Sequence, residues 1–278
     1  MATHGKRRAL GQHFLRDTQV CNQIADTVLE EFQRYSCSGL LEIGPGKGAI
    51  TQPILEKLEK IASVTRLTLV ERDQKLAQEW KEKFESLPSK NRVVEAGDFL
   101  EVQREKWLMA QPLAVVSNLP YSAGTAILIR LAEEARSIPV MVLMFQAEVA
   151  KRLRAGPSAD GRGSLSVWIQ NQWDVRSLIK VPPRAFMPPP EVQSEVVVLT
   201  RREKPWIDVF QSEEELKTWR ALLKASFAHR RKMLRSTFPW PQALKASEVD
   251  PTLRAEALDW PEWEKLYRAV LAQKAELA

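Results

Sequence analysis

With 278 residues, 44% of them apolar and 27% charged, the chain has enough material for one large core and a smaller second domain. No apolar run approaches a membrane span, and Met1 to Arg8 is basic rather than apolar, which argues against a membrane segment or a cleaved leader and for a cytoplasmic protein. The net charge of +6 admits a polyanionic partner, and the two cysteines, Cys21 and Cys37, have no metal-site spacing and read as reduced thiols.

The elements run in a regular order. Thr18 to Phe32 has helical spacing behind an Asp17 cap. From residue 38 to about 145, short apolar runs alternate with helical patterns. The strands are expected at Leu40–Ile43, Leu67–Val70, Arg92–Glu95, Leu113–Val116 and Val140–Phe145, and the helices near 49–60, 73–86 and 122–135. This alternation predicts an α/β fold with a mostly parallel, doubly wound sheet that binds ligands at the carboxyl ends of its strands. Beyond Pro139 the pattern changes. Leu165 to Trp173 reads as helical, and Val175–Val181 and Val196–Thr200 read as an antiparallel edge hairpin around a proline-rich elbow. After Arg201-Arg202-Glu203-Lys204-Pro205 the chain becomes helical, with Leu216, Trp219, Leu223 and Phe227 on one face. The expected division is a ligand-binding domain over 1–204 and a small all-α domain over 205–278.

Glu42-Ile43-Gly44-Pro45-Gly46-Lys47-Gly48 follows the first of these strands and opens a helix. Glycines there let the backbone turn tightly against a ligand. The third glycine comes too early for the G-x-x-G spacing of a pyrophosphate loop, and acids close the next two strand regions, Glu71 after Val70 and Asp98 in Gly97-Asp98-Phe99. A carboxylate suits the hydroxyls of a ribose and another suits the amino group of adenine, so the pattern favours S-adenosylmethionine over a nicotinamide dinucleotide. Glu42 fits a loop brace as well as a ligand contact, Glu71 a solvated acid, and Asp98 a turn residue.

Asn118-Leu119-Pro120-Tyr121 follows the run Leu113 to Val116. An amide at the rim of a sheet beside a flat ring can hold a planar base by its exocyclic amine; the competing reading is a strand-end turn. Phe186 lies between Pro182-Pro183 and Pro188-Pro189-Pro190. A rigid elbow there can hold an aromatic ring outside the core, or bury it as a plug. Lys6, Arg7 and Arg8 near the amino terminus, and Arg230, Arg231, Lys232 and Arg235 on one expected helical segment, form candidate phosphate contacts, with Arg152, Arg154 and Arg162 extending the patch.

Taken in order, Gly11-Gln12-His13-Phe14-Leu15, the glycine loop, Gly97-Asp98, Asn118 to Tyr121, Gly161 to Val167, Phe186 to Pro190 and Phe227 to Lys232 resemble the KsgA (RsmA) family of ribosomal RNA adenine dimethyltransferases over nearly the whole chain. The resemblance implies a Rossmann-like class I methyltransferase fold with a mostly parallel seven-stranded sheet and a small all-α C-terminal domain. It implies S-adenosylmethionine-dependent dimethylation of N6 of two adjacent adenines in the 3'-terminal hairpin loop of small-subunit rRNA, with the assembling 30S subunit as partner, a role in subunit biogenesis, and a monomer. Carried over, Gln12, His13, Leu15, Gly44, Glu71, Asp98 and Asn118 line the cofactor pocket, joined by Gly46, Arg72 and Phe99. Asn118, Leu119, Pro120, Tyr121 and Phe186 hold the base. No metal, catalytic histidine or covalent intermediate is expected. The chain departs from the family at His13, where asparagine is also common, at Gln193 in place of an aspartate, and in the small residues Ser122-Ala123-Gly124. An Erm-like large-subunit rRNA methyltransferase, or an idle nucleic-acid-binding factor on the same fold, are the alternatives.

Overall fold

The computed structural model describes residues 13–58, 66–87 and 91–277. Strand β1 (Phe14–Leu15) precedes helix α1 (Thr18–Arg34), whose cap Asp17 accepts from the amides of Gln19 and Val20 at 3.1 and 3.2 Å. There follow β2 (Gly39–Ile43), α2 (Thr51–Leu58), β3 (Arg66–Glu71), α3 (Gln74–Glu85), β4 (Arg92–Ala96), α4 (Arg104–Trp107), β5 (Leu113–Asn118), α5 (Gly124–Ala132), β6 (Val140–Gln146) and α6 (Ala147–Arg154). Then come α7 (Ser164–Gln170), β7 (Trp173–Val181), β8 (Phe186–Met187), β9 (Ser194–Arg201), α8 (Glu213–Ser226), α9 (Leu234–Thr237), α10 (Pro241–Ala246) and α11 (Trp260–Leu277).

Seven strands form one sheet in the order β4-β3-β2-β5-β6-β9-β7. β2 pairs in parallel with β3 and β5, as do β3 with β4 and β5 with β6, while β9 runs antiparallel to β6. The apolar runs Leu113–Val116 in β5 and Val140–Phe145 in β6, and the burial of every residue of β2, reflect cover on both sheet faces, as a parallel sheet covered by helices requires. The chain moves outward from β2 toward β3 and from β5 toward β6, so the strand order reverses between β2 and β5. A crevice opens beyond the carboxyl ends of that pair. The expected edge hairpin is present: β9 and β7 are neighbours in the sheet, with β9 against β6 and β7 at the edge.

Contacts divide the chain into a unit reaching Ala150 together with Asp174–Arg201, and a second unit of Lys151–Trp173 with Arg202 onward. The expected boundary at 204/205 therefore moves to Arg201/Arg202, and the small unit also takes the segment 151–173. Asn171 explains that recruitment. Its buried side-chain amide donates to the Ile207 carbonyl at 2.9 Å and accepts the Ile207 amide at 2.8 Å, a two-way bond between segments distant in the chain. Within the second unit Trp219 meets Trp263 and Tyr267 edge-on at 5.9 and 5.7 Å, and Phe227 stacks on Trp263.

Candidate active site

The glycine loop after β2 needs left-handed backbone at Gly44 and Gly46, whose φ values are 66° and 56°. A side chain on Gly44 would meet nothing within 4 Å, so its backbone borders open cleft, whereas one on Gly46 would touch the Phe14 ring at 3.2 Å. The loop is tied to its neighbours at three points. Gly44 donates to the Val70 carbonyl at 2.8 Å, the Gly46 amide donates to Glu71 Oε2 at 2.9 Å, and Trp80 Nε1 donates to the Gly46 carbonyl at 2.9 Å. On β5, the Ser117 hydroxyl donates to the Ile43 carbonyl at 2.6 Å and joins the two strand ends that frame the crevice.

The cleft is lined by His13, Leu15, Glu42, Gly44, Gly46, Glu71, Arg72, Asp98, Phe99 and Asn118 to Tyr121, among others. It thus brings together the sequence-derived cofactor and base-holding residues that fall within the described part, apart from Phe186. Gln12, Lys6, Arg7 and Arg8 lie outside the described residues.

Glu71 is buried, and its two oxygens accept the amides of Gly46 and Asp73, each at 2.9 Å. Burial raises its pKa while these bonds oppose the shift. Each carboxylate oxygen keeps a further lone pair, so Glu71 can brace the loop and still accept from a ribose hydroxyl. Asp98 is partly exposed, accepts the Leu100 amide at 3.0 Å and has Arg72 at 3.6 Å. Arg130 holds the following turn: its guanidinium donates to the carbonyls of Phe99 and Val102 and lies over the Phe99 ring at 5.0 Å.

Asn118 Nδ2 donates to the His13 carbonyl at 3.3 Å. That bond orients the amide and leaves Oδ1 as an acceptor with no hydrogen bond among the described residues. Tyr121 is held by its hydroxyl, 2.5 Å from Ser194 Oγ, and its ring lies 5.6 Å from the His13 imidazole. His13 Nδ1 in turn sits 2.9 Å from the Pro188 carbonyl.

Phe186 is a correction. β8 pairs antiparallel with β1, Leu15 opposite Phe186, and this register turns the ring into the core among Leu15, Val181, Ala185, Val196 and Val198. It is 2% exposed and does not line the cleft. The side chain that the elbow exposes is its neighbour Met187, at 57%, as strand alternation requires.

The basic set also changes. Arg230, Arg231 and Lys232 are exposed on the turn after α8, and Arg235 is exposed on the short α9, so they share no single helix. Arg152 is half-buried, with its stem against Gly161. Arg162 is no surface contact at all. It is fully buried, donating to the carbonyls of Glu256 and Leu258 at 3.1 and 2.5 Å, and burial lowers its pKa to about 10 against the pull of Asp259 and Glu262.

Trp80, Ser117 and Arg130 escape a reading of motifs. Each acts through a backbone carbonyl of the cleft loops, and only the shape of a helical or strand pattern marks them in the sequence.

Residues 3–256 match the family model described as ribosomal RNA adenine dimethylase. The chain belongs to that family. It is 34% identical over 276 residues to the protein called ribosomal RNA small subunit methyltransferase A of Syntrophotalea carbinolica, covering 96% of this chain and 97% of that one. It is 36% identical over 259 residues to the protein of the same name from Nitrosospira multiformis, covering 92% of each. In fold it is similar to a dimethyladenosine transferase from Plasmodium falciparum, with a TM-score of 0.71, 20% identity and coverage of 95% and 98%. It is also similar to the 23S rRNA methyltransferase ErmE, with a TM-score of 0.64, 23% identity and coverage of 92% and 99%. These two likenesses establish the class I methyltransferase fold, and family and fold together imply a methyl donor of the S-adenosylmethionine type.

The cleft of this dimethylase-family protein fits such a donor: a glycine cradle whose Gly44 opens on empty space, acids at two strand ends, and a buried acid, Glu42, whose Oε2 has no hydrogen-bond partner among the described residues. Gly48, at φ 88°, packs against Trp80 so closely that an added Cβ would lie 2.6 Å from the ring. Gly48→Ala is expected to displace the loop and weaken donor binding about tenfold or more, as a ligand titration would reveal.

Glu42 is 2% exposed; burial and the nearby Glu71 raise its pKa to about 8, against the Thr51 hydroxyl, which favours the ionised form. The folded protein therefore keeps a proton that the unfolded chain gives up near 4.5. Stability should fall as pH rises from about 4.5 to about 8 and level off above. Glu42→Gln should flatten that slope in denaturation curves taken between pH 5 and 8, leaving the smaller part due to Glu71.

Proposed function

We propose that this protein transfers methyl groups from S-adenosylmethionine to N6 of two adjacent adenines in the 3'-terminal hairpin loop of small-subunit rRNA, acting as a monomer on assembling 30S subunits. The observation that carries this reading is the orientation of Asn118: its Nδ2 is engaged by the His13 carbonyl, which leaves Oδ1 as an acceptor for the base. The names of the relatives from S. carbinolica and N. multiformis support the small subunit as substrate.

The bound cofactor supplies an activated methyl group on a sulfonium. The adenine amine is a poor nucleophile because its lone pair is delocalised into the ring. Asn118 Oδ1 and the Leu119 carbonyl accept its two N–H bonds, which favours a pyramidal nitrogen with its lone pair aimed at the methyl group. Transfer then depends on alignment and electrostatic support more than on a strong base. After one transfer a single N–H remains, so one of these acceptors can still hold the monomethylated amine while the second methyl is transferred.

The target base must leave its stack, at a cost of a few kcal/mol. Tyr121, anchored by Ser194, returns roughly 1–3 kcal/mol by stacking. With Phe186 in the core its ring cannot add to this, and the rest falls to phosphate contacts. Arg230, Arg231, Lys232 and Arg235 are the exposed cations we assign to that role, with Arg152 beside them in sequence-independent positioning. Lys6, Arg7 and Arg8 complete the set on sequence grounds alone, as Gln12 does for the cofactor pocket.

The test is transfer of labelled methyl to undermethylated small subunits, large-subunit RNA and DNA. Label recovered as N6,N6-dimethyladenine in small-subunit RNA alone is the expected result. Label in large-subunit RNA would instead assign the Erm-like activity, and donor binding without label anywhere would point to an idle nucleic-acid-binding factor.

A further inference from the structure

Glu42 holds neither the loop nor the base. It lies in the cleft with one carboxylate oxygen, Oε2, that makes no hydrogen bond among the described residues, and the buried Thr51 hydroxyl beside it is the group that favours its ionised form. The groups that face it are Thr51 from α2, Glu71 from β3 and Cys21 from α1; the remaining titratable groups around the cleft are His13, Lys47, Arg72, Asp98 and Tyr121. No cation pairs with Glu42 among the described residues. A carboxyl group so placed is neutral unless a positive charge joins it, because burial and a like-charged neighbour both oppose ionisation. Its pKa of about 8 agrees with that geometry.

The ligand to be bound brings such a charge. The methyl donor and its demethylated product share the same ammonium, carboxylate and nucleoside, and differ by one sulfonium charge. The reacting methyl has to sit at Asn118, two residues or about 7 Å along β5 from Val116, which pairs with Glu42 across a strand spacing of about 4.8 Å, so the two backbone positions lie about 8–9 Å apart. At that range, in a site walled by protein, a unit charge acts strongly on a buried carboxyl.

Resting on the reading of the cleft as an S-adenosylmethionine site, we propose that Glu42 distinguishes the cationic donor from the neutral product: its carboxyl is protonated in the free protein, loses that proton when the sulfonium enters, and recovers one when transfer removes the charge. The balance closes. Binding the donor releases one proton from Glu42 to solvent. Transfer forms the N–CH3 bond from the amine's electron pair, leaves the S–CH3 pair on sulfur and frees one N–H proton, and the Glu42 carboxylate takes up one proton as the charge beside it disappears. Product then sits against a neutral acid without the attraction that held the sulfonium, which favours exchange for fresh donor.

Calorimetric titration in two buffers of different protonation heat counts the protons directly. At pH 7 the wild type should release close to one proton on binding S-adenosylmethionine and close to none on binding S-adenosylhomocysteine. Between pH 6 and 7 donor affinity should rise about tenfold, with product affinity flat. In Glu42→Gln the release should vanish and donor affinity become independent of pH. Equal release with both ligands, no release with the donor, or release that survives in Glu42→Gln would each overturn the proposal. The comparison of the two ligands on wild type decides it even where the variant fails to fold. Failure of either ligand to bind would overturn the cofactor assignment itself, a result distinct from binding without proton release.

Discussion

Asn118→Ala should lower methyl transfer by about 10²–10³-fold, the cost of removing one preorganised polar contact to a reacting group. The variant loses the acceptor that Oδ1 presents, and it loses the Nδ2 bond to the His13 carbonyl that orients it. Donor binding should change far less, because the glycine loop, Glu71 and Asp98 remain. The deficit should therefore appear in the single-turnover rate with donor and RNA both saturating. Asn118→Asp separates the two contributions: it keeps an acceptor toward the base and gives up the donor to His13. Activity of Asn118→Ala within a few-fold of wild type would mean that the corner is only a strand-end turn and that the base is held elsewhere.

Trp80→Ala is expected to cost about 3–5 kcal/mol of folding stability. The ring is 5% exposed, packs edge-on against Phe84 at 5.8 Å and closes over Gly48, so its loss leaves a cavity beneath the loop. Its Nε1 also holds the Gly46 carbonyl. Trp80→Phe keeps most of the packing and deletes that bond, so it should cost only about 1 kcal/mol in denaturant unfolding while weakening donor binding more visibly. An unchanged donor affinity in Trp80→Phe would show that the loop keeps its shape by the Glu71 and Val70 contacts alone.

The dependence on Trp80 also shows where a sequence reading stops. The parallel strands were legible because short apolar runs, continuous in β5 and β6, alternate with helical patterns, and the helices because their polar faces recur. Asp17 and the glycine loop were legible because caps and left-handed turns are chosen by residues adjacent in the chain. Trp80 looks like any apolar residue on a helical face. Its Nε1 matters only because the Gly46 carbonyl, 34 residues earlier, lies within reach. Ser117 and Arg130 are similar, each answering a carbonyl whose need for a donor arises only once the strands are side by side.

The elbow and the basic residues make the same point from the other side. Phe186 and Met187 are both apolar and both follow a proline-rich turn, and the sequence leaves open whether the Phe186 ring stands outside the core or plugs it. The choice is made by register: β8 pairs with β1, Leu15 falls opposite Phe186, and alternation sends one side chain inward and the next outward. Arg162 reads as one more surface cation beside Arg152 and Arg154, yet two carbonyls from the far end of the chain draw it into the interior.

By itself, then, the sequence determined the order of strands and helices, the family, the glycine cradle, the acids at the ends of β3 and β4, and the Asn118 corner. These follow from short-range chemistry: turn conformation, periodicity and residue types set side by side. The tertiary structure decided that β9 enters between β6 and β7, that 151–173 joins the small unit, that Phe186 and Arg162 are interior, and that Glu42 lies buried with an unpaired oxygen. Those outcomes depend on burial and on the pairing of polar groups across long sequence separations, and both are set only when distant segments pack together.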